Sequence, residues 1–349
     1  MKTGQGLALV AGGAGFIGSH LCRALLEQGH HVLCLDNLQT SRRSNIAALR
    51  DFAGFEFVEA DVTEELPRAV TRHAGAFTRI YNLACAASPP LYQADPEHTM
   101  LTNVVGAQRL LRLAERSGAR FLLASTSEVY GDPEAHPQRE DYRGSVNCTG
   151  PRACYDEGKR AAEALTFDFA RTGRADVRVA RIFNTYGPQM RSDDGRVVSN
   201  FICQALGGEP LTIYGDGEQS RSFCYVSDTV RGLMLLMEAR LPDSQAVNIG
   251  NPHELTIAEL VGEIERLLDR PVEVIRRPLP VDDPVRRRPD IGRAQRLLGW
   301  KPQTGLEEGL RHTLRWFRAE LAARHDARPG RGSLAPRPAE ASAPRVARA

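Results

Sequence analysis

The chain has 349 residues, 42% hydrophobic and 25% charged, with a formal net charge of +2. That length buries a sizeable core in one large or two modest domains. The near-neutral charge argues against nucleic acid as the main partner, and no apolar run reaches the ~18 residues that a membrane span needs.

Residues 7–11 (Leu-Ala-Leu-Val-Ala) read as a buried strand, 17–28 as a helix, and 31–36 as a second strand ending at Asp36. The N-terminus leads straight into that first strand, so a signal peptide is not expected. Val58 and Ala60 fit a third strand ending near Asp61, and 79–84 a fourth. Helical patterns cover 97–117. Arg120 to Ser125 is a further apolar strand, 154–172 a long helix, and Asp176 to Ile182 a sixth strand. This alternation predicts an α/β fold, a Rossmann-type doubly wound parallel sheet with helices on both faces. Beyond about Thr185 proline and glycine become denser, which fits a smaller C-terminal substrate lobe interleaved with the last strands. There, 256–268 reads as an amphipathic helix with a threonine N-cap and an early glutamate. A further helix, 305–324, carries Leu310, Leu314 and Trp316. The expected domains are 1–184, with returning segments at about 220–250, for the dinucleotide, and 185–324 mainly for the substrate. The Pro, Ala, Arg, Gly and Ser composition of 325–349 predicts a disordered tail, with too little apolar surface to offset its ordering entropy. Its five arginines lie too sparsely among prolines for a nucleic-acid site, and a solvated extension is expected.

Gly12-Gly13-Ala14-Gly15-Phe16-Ile17-Gly18 follows the first strand and opens the first helix. Small residues there let the backbone approach a pyrophosphate, and the helix N-terminus stabilises its charge. Asp36, at the end of the second strand, is placed to bind a ribose 2′-hydroxyl and to repel a 2′-phosphate, which favours NAD over NADP. Arg42 and Arg43 count the other way. Asp61, at the end of the third strand, is placed to meet the adenine amino group. The seven cysteines are scattered without a Cys-x-x-Cys pair, which fits reduced thiols in a cytoplasmic protein. His20 and His31 lack metal-ligand spacing, and no metal is expected.

Tyr155 and Lys159 lie four apart, one turn along a helix face. The lysine charge is expected to lower the phenol pKa and make Tyr155 a base toward a secondary alcohol, with Thr126 holding the same oxygen. Such a spacing is common by chance. Here the glycine turn and the acidic strand end give it weight.

These features resemble the extended short-chain dehydrogenase/reductases. The segments GGAGFIGSHL, NLACAASPP, LLASTSEVYGDPE, GPRACYDEGKR, VRVARIFNTYGP, DGRVVSNFI and RRRPDI, spread over about residues 7 to 320, are similar within that group to the UDP-glucuronate decarboxylases, also called UDP-xylose synthases. The resemblance implies bound NAD, contacted by Gly12, Gly15, Phe16, Ile17, Asp36, Asn37, Asp61, Val62, Leu83, Cys85, Thr102, Ala124, Tyr155, Lys159 and Thr185. It implies UDP-glucuronate as substrate, with Asn184 near the diphosphate, Ser199 and Asn200 on a following helix, and Leu211, Ile213 and Tyr214 by the uracil. Arg221 and Arg287 would neutralise phosphate charge, Arg287 also lying by the sugar carboxylate. Ser127 stands where 4,6-dehydratases carry aspartate, and the Ser127-Glu128 pair matches the decarboxylases. A homodimer joined by a four-helix bundle, from helices 97–117 and 154–172, is also implied.

In the implied reaction C4 of the glucuronate is oxidised, with Tyr155 taking the hydroxyl proton. The resulting β-keto acid loses CO2, the C4 enolate being held by Thr126 and protonated Tyr155. Reprotonation at C5 and hydride return give UDP-xylose. An ionised Glu128 about 4 Å from the substrate carboxylate would add roughly 4 kcal/mol of repulsion at an effective dielectric near 20. Taking up a proton would spare that cost, and the residues alone leave both states open. The chain departs from the family at Cys85-Ala86, Leu101, Arg143, Ser145 and Cys148-Thr149. Most of these positions are expected near the sugar, where a looser pocket would release some UDP-4-keto-xylose. A 4-epimerase on the same scaffold would use the same Tyr155, Lys159 and Thr126 but gain nothing from Glu128. A silent NAD-binding regulator would have lost that triad, which is complete here.

Overall fold

The computed structural model describes residues 6–280 and 286–326. Six strands follow one another along the first half: β1 (Leu7–Ala11), β2 (His31–Asp36), β3 (Phe55–Glu59), β4 (Phe77–Asn82), β5 (Arg120–Thr126) and β6 (Val177–Ile182). A seventh, Ala246–Ile249, returns from the C-terminal half. All run parallel in the order Ala246–Ile249, β6, β5, β4, β1, β2, β3. The chain winds outward from β1 to β3 and then crosses to β4 on the other side of β1. That reversal opens a crevice beyond the carboxyl ends of β1 and β4, where ligands bind in such sheets.

The continuous apolar runs are explained by burial on both faces. Along β1, Ala8 and Val10 join one core, while Leu9 and Ala11 join the other. The first core is closed by Leu21 and Leu25 of the helix Phe16–Glu27 and by Leu233 and Leu236 of the helix Val226–Glu238. The second is closed by Leu110 and Leu111 of the helix Ala107–Ser117 and by Ala162 and Phe169 of the long helix Ala153–Arg171. Each such side chain contributes about 1.5–3 kcal/mol on burial. A third core, including Phe201, Leu260 and Phe317, builds the second lobe. There the helix Ile257–Leu268 starts at a full capping box. Thr256 Oγ accepts from the Glu259 amide at 3.0 Å, and the Thr256 amide donates back to the Glu259 carboxylate at 2.7 Å.

Two expected elements differ. The helical stretch 97–117 is interrupted: Pro96–Leu101 passes through one π-helical turn, Thr102–Gly106, before Ala107–Ser117. A Cβ on Gly106 would lie 2.6 Å from Val62 Cγ2, and Asn103 turns its amide to Thr99 O at 3.0 Å and to Cys85 Sγ at 3.2 Å. Close packing against Val62 and these side-chain bonds accompany the widened turn. The fourth strand begins two residues earlier than expected and stops at Asn82. Leu83 and Ala84 thereby leave the sheet at the crevice. The last helix, Leu306–Asp326, runs to the end of the described residues, and the tail expected at 325–349 falls almost wholly outside them.

Candidate active site

Three elements converge on the crevice. The end of β5 supplies Thr126, whose hydroxyl caps the next turn by accepting from the Glu128 amide at 3.2 Å. That short 3-10 turn, Ser127–Tyr130, brings Ser127 and Glu128 into the cavity wall. The long helix supplies Tyr155 and, one turn on, Lys159. The lysine Nζ donates to Ala124 O at 2.9 Å and lies 5.8 Å from the centroid of the Tyr155 ring. Tyr92 stacks on Tyr155 at 5.0 Å, with the planes 5° apart. The third element is the second lobe. Its strand Arg286–Arg287 pairs in parallel with Ser220–Ser222, which sets Arg287 beside Arg221.

Glu128 ties these elements together. It accepts from Arg152 Nη2 at 2.5 Å and from Arg287 Nη2 at 2.7 Å, with Arg287 Nη1 on its other oxygen. Burial pushes its pKa up, but Arg287, Arg152 and Arg221, in that order, outweigh it and hold the carboxyl below its ordinary value. Of the two protonation states left open by the sequence, these arginines favour the ionised one. Arg152 was missed in the sequence. The signal was its place three residues before Tyr155, at the N-cap of the same helix. Asp156, the next residue after Tyr155, is pushed up to about 7, by burial and then by Glu128.

The tyrosine expectation is corrected. Burial raises the Tyr155 phenol, the nearby Cys85 sulfur adds to this, and a hydrogen bond with Thr126 only partly offsets it. Lys159 is itself buried, which lowers its pKa. Burial of both groups thus opposes the phenolate that the helix spacing predicted.

The cavity of about 470 Å³ is lined by Gly12, Gly15, Phe16, Ile17, Leu83, Cys85, Ala124 and Thr185. Thr126, Ser127, Glu128, Arg152, Tyr155 and Lys159 line it too, as do Asn184, Asn200, Tyr214, Arg221 and Arg287. Other expected residues lie outside its wall. Asp36 accepts from the Ala14 amide at 3.0 Å, the Leu38 amide at 2.8 Å and Ser41 Oγ at 2.6 Å, so it braces the glycine loop. Asn37 donates to Asp61 at 2.6 Å, and His98 Nε2 lies 2.7 Å from the same carboxylate oxygen. Burial works against Asp61, but bonds from Thr63, Asn37 and His98 bring it down to about 2. Val62 packs on Gly106, and Thr102 is buried behind Asp61, 3.5 Å from His98 Nδ1. Ser199 bonds Arg196 O at 2.9 Å, and the Leu211 and Ile213 side chains belong to the second-lobe core. Arg42 and Arg43, which had counted toward a 2′-phosphate, are taken up by Asp193 and Glu320 and by Glu59. Of the departures from the family pattern, Cys85 alone lines the cavity; Leu101, Arg143, Ser145, Cys148 and Thr149 are exposed. The expectation that most of those positions lie by the sugar is corrected accordingly.

The glycine loop fits a dinucleotide. Gly12 has φ +76°, and a Cβ there would lie 2.6 Å from the Leu83 carbonyl; one on Gly18 would lie 2.1 Å from Gly12 O. Only glycine allows this close turn, and Gly15 leads the free amides of the helix Phe16–Glu27 toward the cavity. Among the described residues no cluster of three or more potential metal ligands forms. No described helix is long and apolar enough to cross a membrane.

A dinucleotide loop at a sheet's switch point, with a threonine, tyrosine and lysine beside it, defines a nucleotide-dependent oxidoreductase-type site. The chain belongs to the NAD dependent epimerase/dehydratase family, whose model matches residues 8–250. Among curated relatives it is 51% identical over 313 residues to UDP-glucuronic acid decarboxylase 1 of Xenopus tropicalis, covering 90% of this chain and 72% of that protein. It is likewise 51% identical over 313 residues to UDP-glucuronic acid decarboxylase 4 of Arabidopsis thaliana, covering 90% and 69%. Among solved structures, UDP-glucuronic acid 4-epimerase of Bacillus cereus, in complex with UDP-glucuronic acid and NAD, superposes with a TM-score of 0.82 at 27% identity, covering 90% of this chain and 99% of that one.

Proposed function

We propose that this chain is an NAD-dependent UDP-glucuronate decarboxylase forming UDP-xylose. The observation that carries the reading is Glu128, ionised and clamped between Arg152 and Arg287 in the cavity that holds Thr126, Tyr155 and Lys159. NAD+, when bound, supplies the acceptor that takes hydride from C4 of the sugar and later returns it; Gly12, Gly15, Phe16, Ile17 and Thr185 would hold it. Tyr155, in its phenolate form, takes the C4 hydroxyl proton while Thr126 holds the same oxygen. With the ketone formed, the C5–C6 bond breaks and its electron pair moves into the C4 enolate, which Thr126 and protonated Tyr155 stabilise. CO2 leaves and C5 takes up a proton. Arg221 and Arg287 hold the diphosphate end, and Arg152 and Arg287 offer the sugar carboxylate a guanidinium in place of Glu128. Asn184, Asn200 and Tyr214 line the remaining length toward the uracil.

In this reading residues 1–184, with the return to Ile249, bind NAD, and residues 185–324 mainly bind the nucleotide sugar. Two copies pair in the cytoplasm through the helices of 96–117 and Ala153–Arg171 as a four-helix bundle; Leu101, a leucine 41% exposed on the first of these, supports that face. UDP-xylose is the main product, with some UDP-4-keto-xylose released past Cys85. The test is incubation with UDP-glucuronate and NAD+, resolving nucleotide sugars by mass and following absorbance at 340 nm. CO2 loss with UDP-pentose and no lasting absorbance is the expected result. A UDP-hexuronate of unchanged mass would establish a 4-epimerase instead.

A further inference from the structure

Behind the cavity wall lies a buried polar cluster that the reaction above leaves unused. Glu163 sits one turn after Lys159 on the same helix and is 6% exposed. One of its carboxylate oxygens accepts from Ser125 Oγ at 2.5 Å and from Arg181 Nε at 2.9 Å; the other accepts from Arg181 Nη2 at 2.7 Å. Ser125 lies between Ala124, whose carbonyl receives Lys159 Nζ, and Thr126. The strand end carrying Thr126 is therefore stitched twice to the helix carrying Tyr155. Arg181 reaches on to Tyr130 Oη at 3.0 Å and Glu140 O at 3.1 Å, which anchors the turn holding Glu128.

We propose that Glu163 is a positioning residue for this reaction: through Ser125 it fixes the end of β5 against the catalytic helix, and its charge keeps buried Lys159 protonated. A lysine this deeply buried loses its proton more easily than in water, and it needs an anion nearby to stay charged. The titratable and charged groups facing Lys159 are Cys85 from the loop after β4, Tyr155 and Glu163 from its own helix, and Arg181 behind Glu163. Burial lowers the lysine's pKa, while Cys85 and Glu163 both act against that fall. Cys85 is itself pushed up by burial, whereas Glu163 is the carboxylate that pairs with Arg181.

The inference rests on the reading above, in which Lys159 lines the active-site cavity, but its test needs no turnover. Lys2, Lys159 and Lys301 are the chain's three lysines. Competitive acetylation with trace acetic anhydride across pH, read by peptide mass spectrometry, titrates Lys159 with the other amines as internal references. In Glu163→Gln the Lys159 midpoint is expected to fall by about 1 pH unit or more, since a nearby opposite charge shifts a pKa by ~1–3 units. In Arg181→Gln it is expected to rise, because the carboxylate then loses its competing cation. Ser125→Ala keeps the charge and leaves the midpoint in place. A purely structural role would give no opposed shifts. A Lys159 midpoint unmoved in whichever of the two charge variants folds overturns the proposal. A wild-type protein that fails to decarboxylate UDP-glucuronate would sink the functional reading and leave this titration standing.

Discussion

Replacing Glu128 by glutamine tests the centre of the site. Glu128 is buried and ionised, and two guanidiniums hold it by direct hydrogen bonds with Arg221 close by. At about 4 Å between charge centres and an effective dielectric near 20, each arginine offers roughly 4 kcal/mol of gross attraction. Desolvation of the charges cancels most of that. Removing one partner alone, however, leaves buried cations uncompensated and typically costs about 3–5 kcal/mol. Glu128→Gln should therefore melt on the order of 5–10 °C below wild type, at ~2 °C per kcal/mol for a chain of this size. The freed arginines should then bind anions better, so UDP-glucuronate or UDP should raise the melting temperature of the variant more than that of wild type. If Glu128 also serves the chemistry, kcat should fall by ~10²-fold or more while KM stays level or drops. The assay is thermal denaturation with and without UDP, together with CO2 release. Full decarboxylation at wild-type kcat would remove Glu128 from the chemistry. An unchanged melting temperature would refute the charge argument itself.

Tyr155→Phe should keep NAD and UDP binding, seen by calorimetry, and lose kcat by ~10²–10⁴-fold, the usual worth of a general base; near-wild-type turnover would exclude the phenol as base. Asp156 titrates in the folded protein at about 7, above the ordinary carboxyl value of 3.8. Its neutral form therefore stabilises the fold fully below about pH 4, and that contribution is lost as pH rises through about 7. Asp156→Asn should flatten the dependence of denaturant-unfolding stability between pH 4 and 7, and an unchanged slope would show that another group carries it. Binding of UDP-glucuronate to wild type near pH 7 should take up a proton, measured with a dye in weak buffer; uptake no larger in wild type than in Asp156→Asn would sink that assignment.

The fold was legible because each of its signals is local. The apolar runs of β1 and β2 and the glycine turn between them follow from sequence neighbours, and so does the threonine–glutamate capping box at 256–259. Tyr155, Lys159 and Thr126 were legible for the same reason, since helix spacing and a strand end suffice to place them. Arg152 stayed hidden because its importance lies in a partner, Glu128, supplied by another element. The pairing of Arg221 with Arg287 was equally invisible, being made by strand register between distant segments of the second lobe. Phenol acidity was misjudged because spacing shows which charges are near but not how much water is lost, and burial is the largest influence on both Tyr155 and Lys159. The departures at Leu101, Arg143 and Cys148 were expected near the sugar because the resemblance places them there; the folded chain turns them outward.

The charge balance of the pocket links its residues to the chemistry proposed for it. Around Glu128 the guanidiniums of Arg152, Arg221 and Arg287 face two carboxyls, of which Glu128 is ionised and Asp156 is poised near neutrality. A nucleotide-linked uronate brings a further carboxylate toward Glu128 and Asp156, so negative charge is then in local excess around those carboxyls. A buried site relieves such an excess by protonation or by expelling an anion. Asp156, titrating near 7, is the group best placed to take the proton. Loss of CO2 removes the substrate carboxylate itself once the C4 ketone can accept its electrons. The arginines that bind the substrate thus gain strength from the diphosphate, which survives the reaction, while the crowding of Glu128 against the uronate carboxylate is confined to the ground state. Interactions that differ in this way between ground and transition states are the ones that raise kcat rather than affinity.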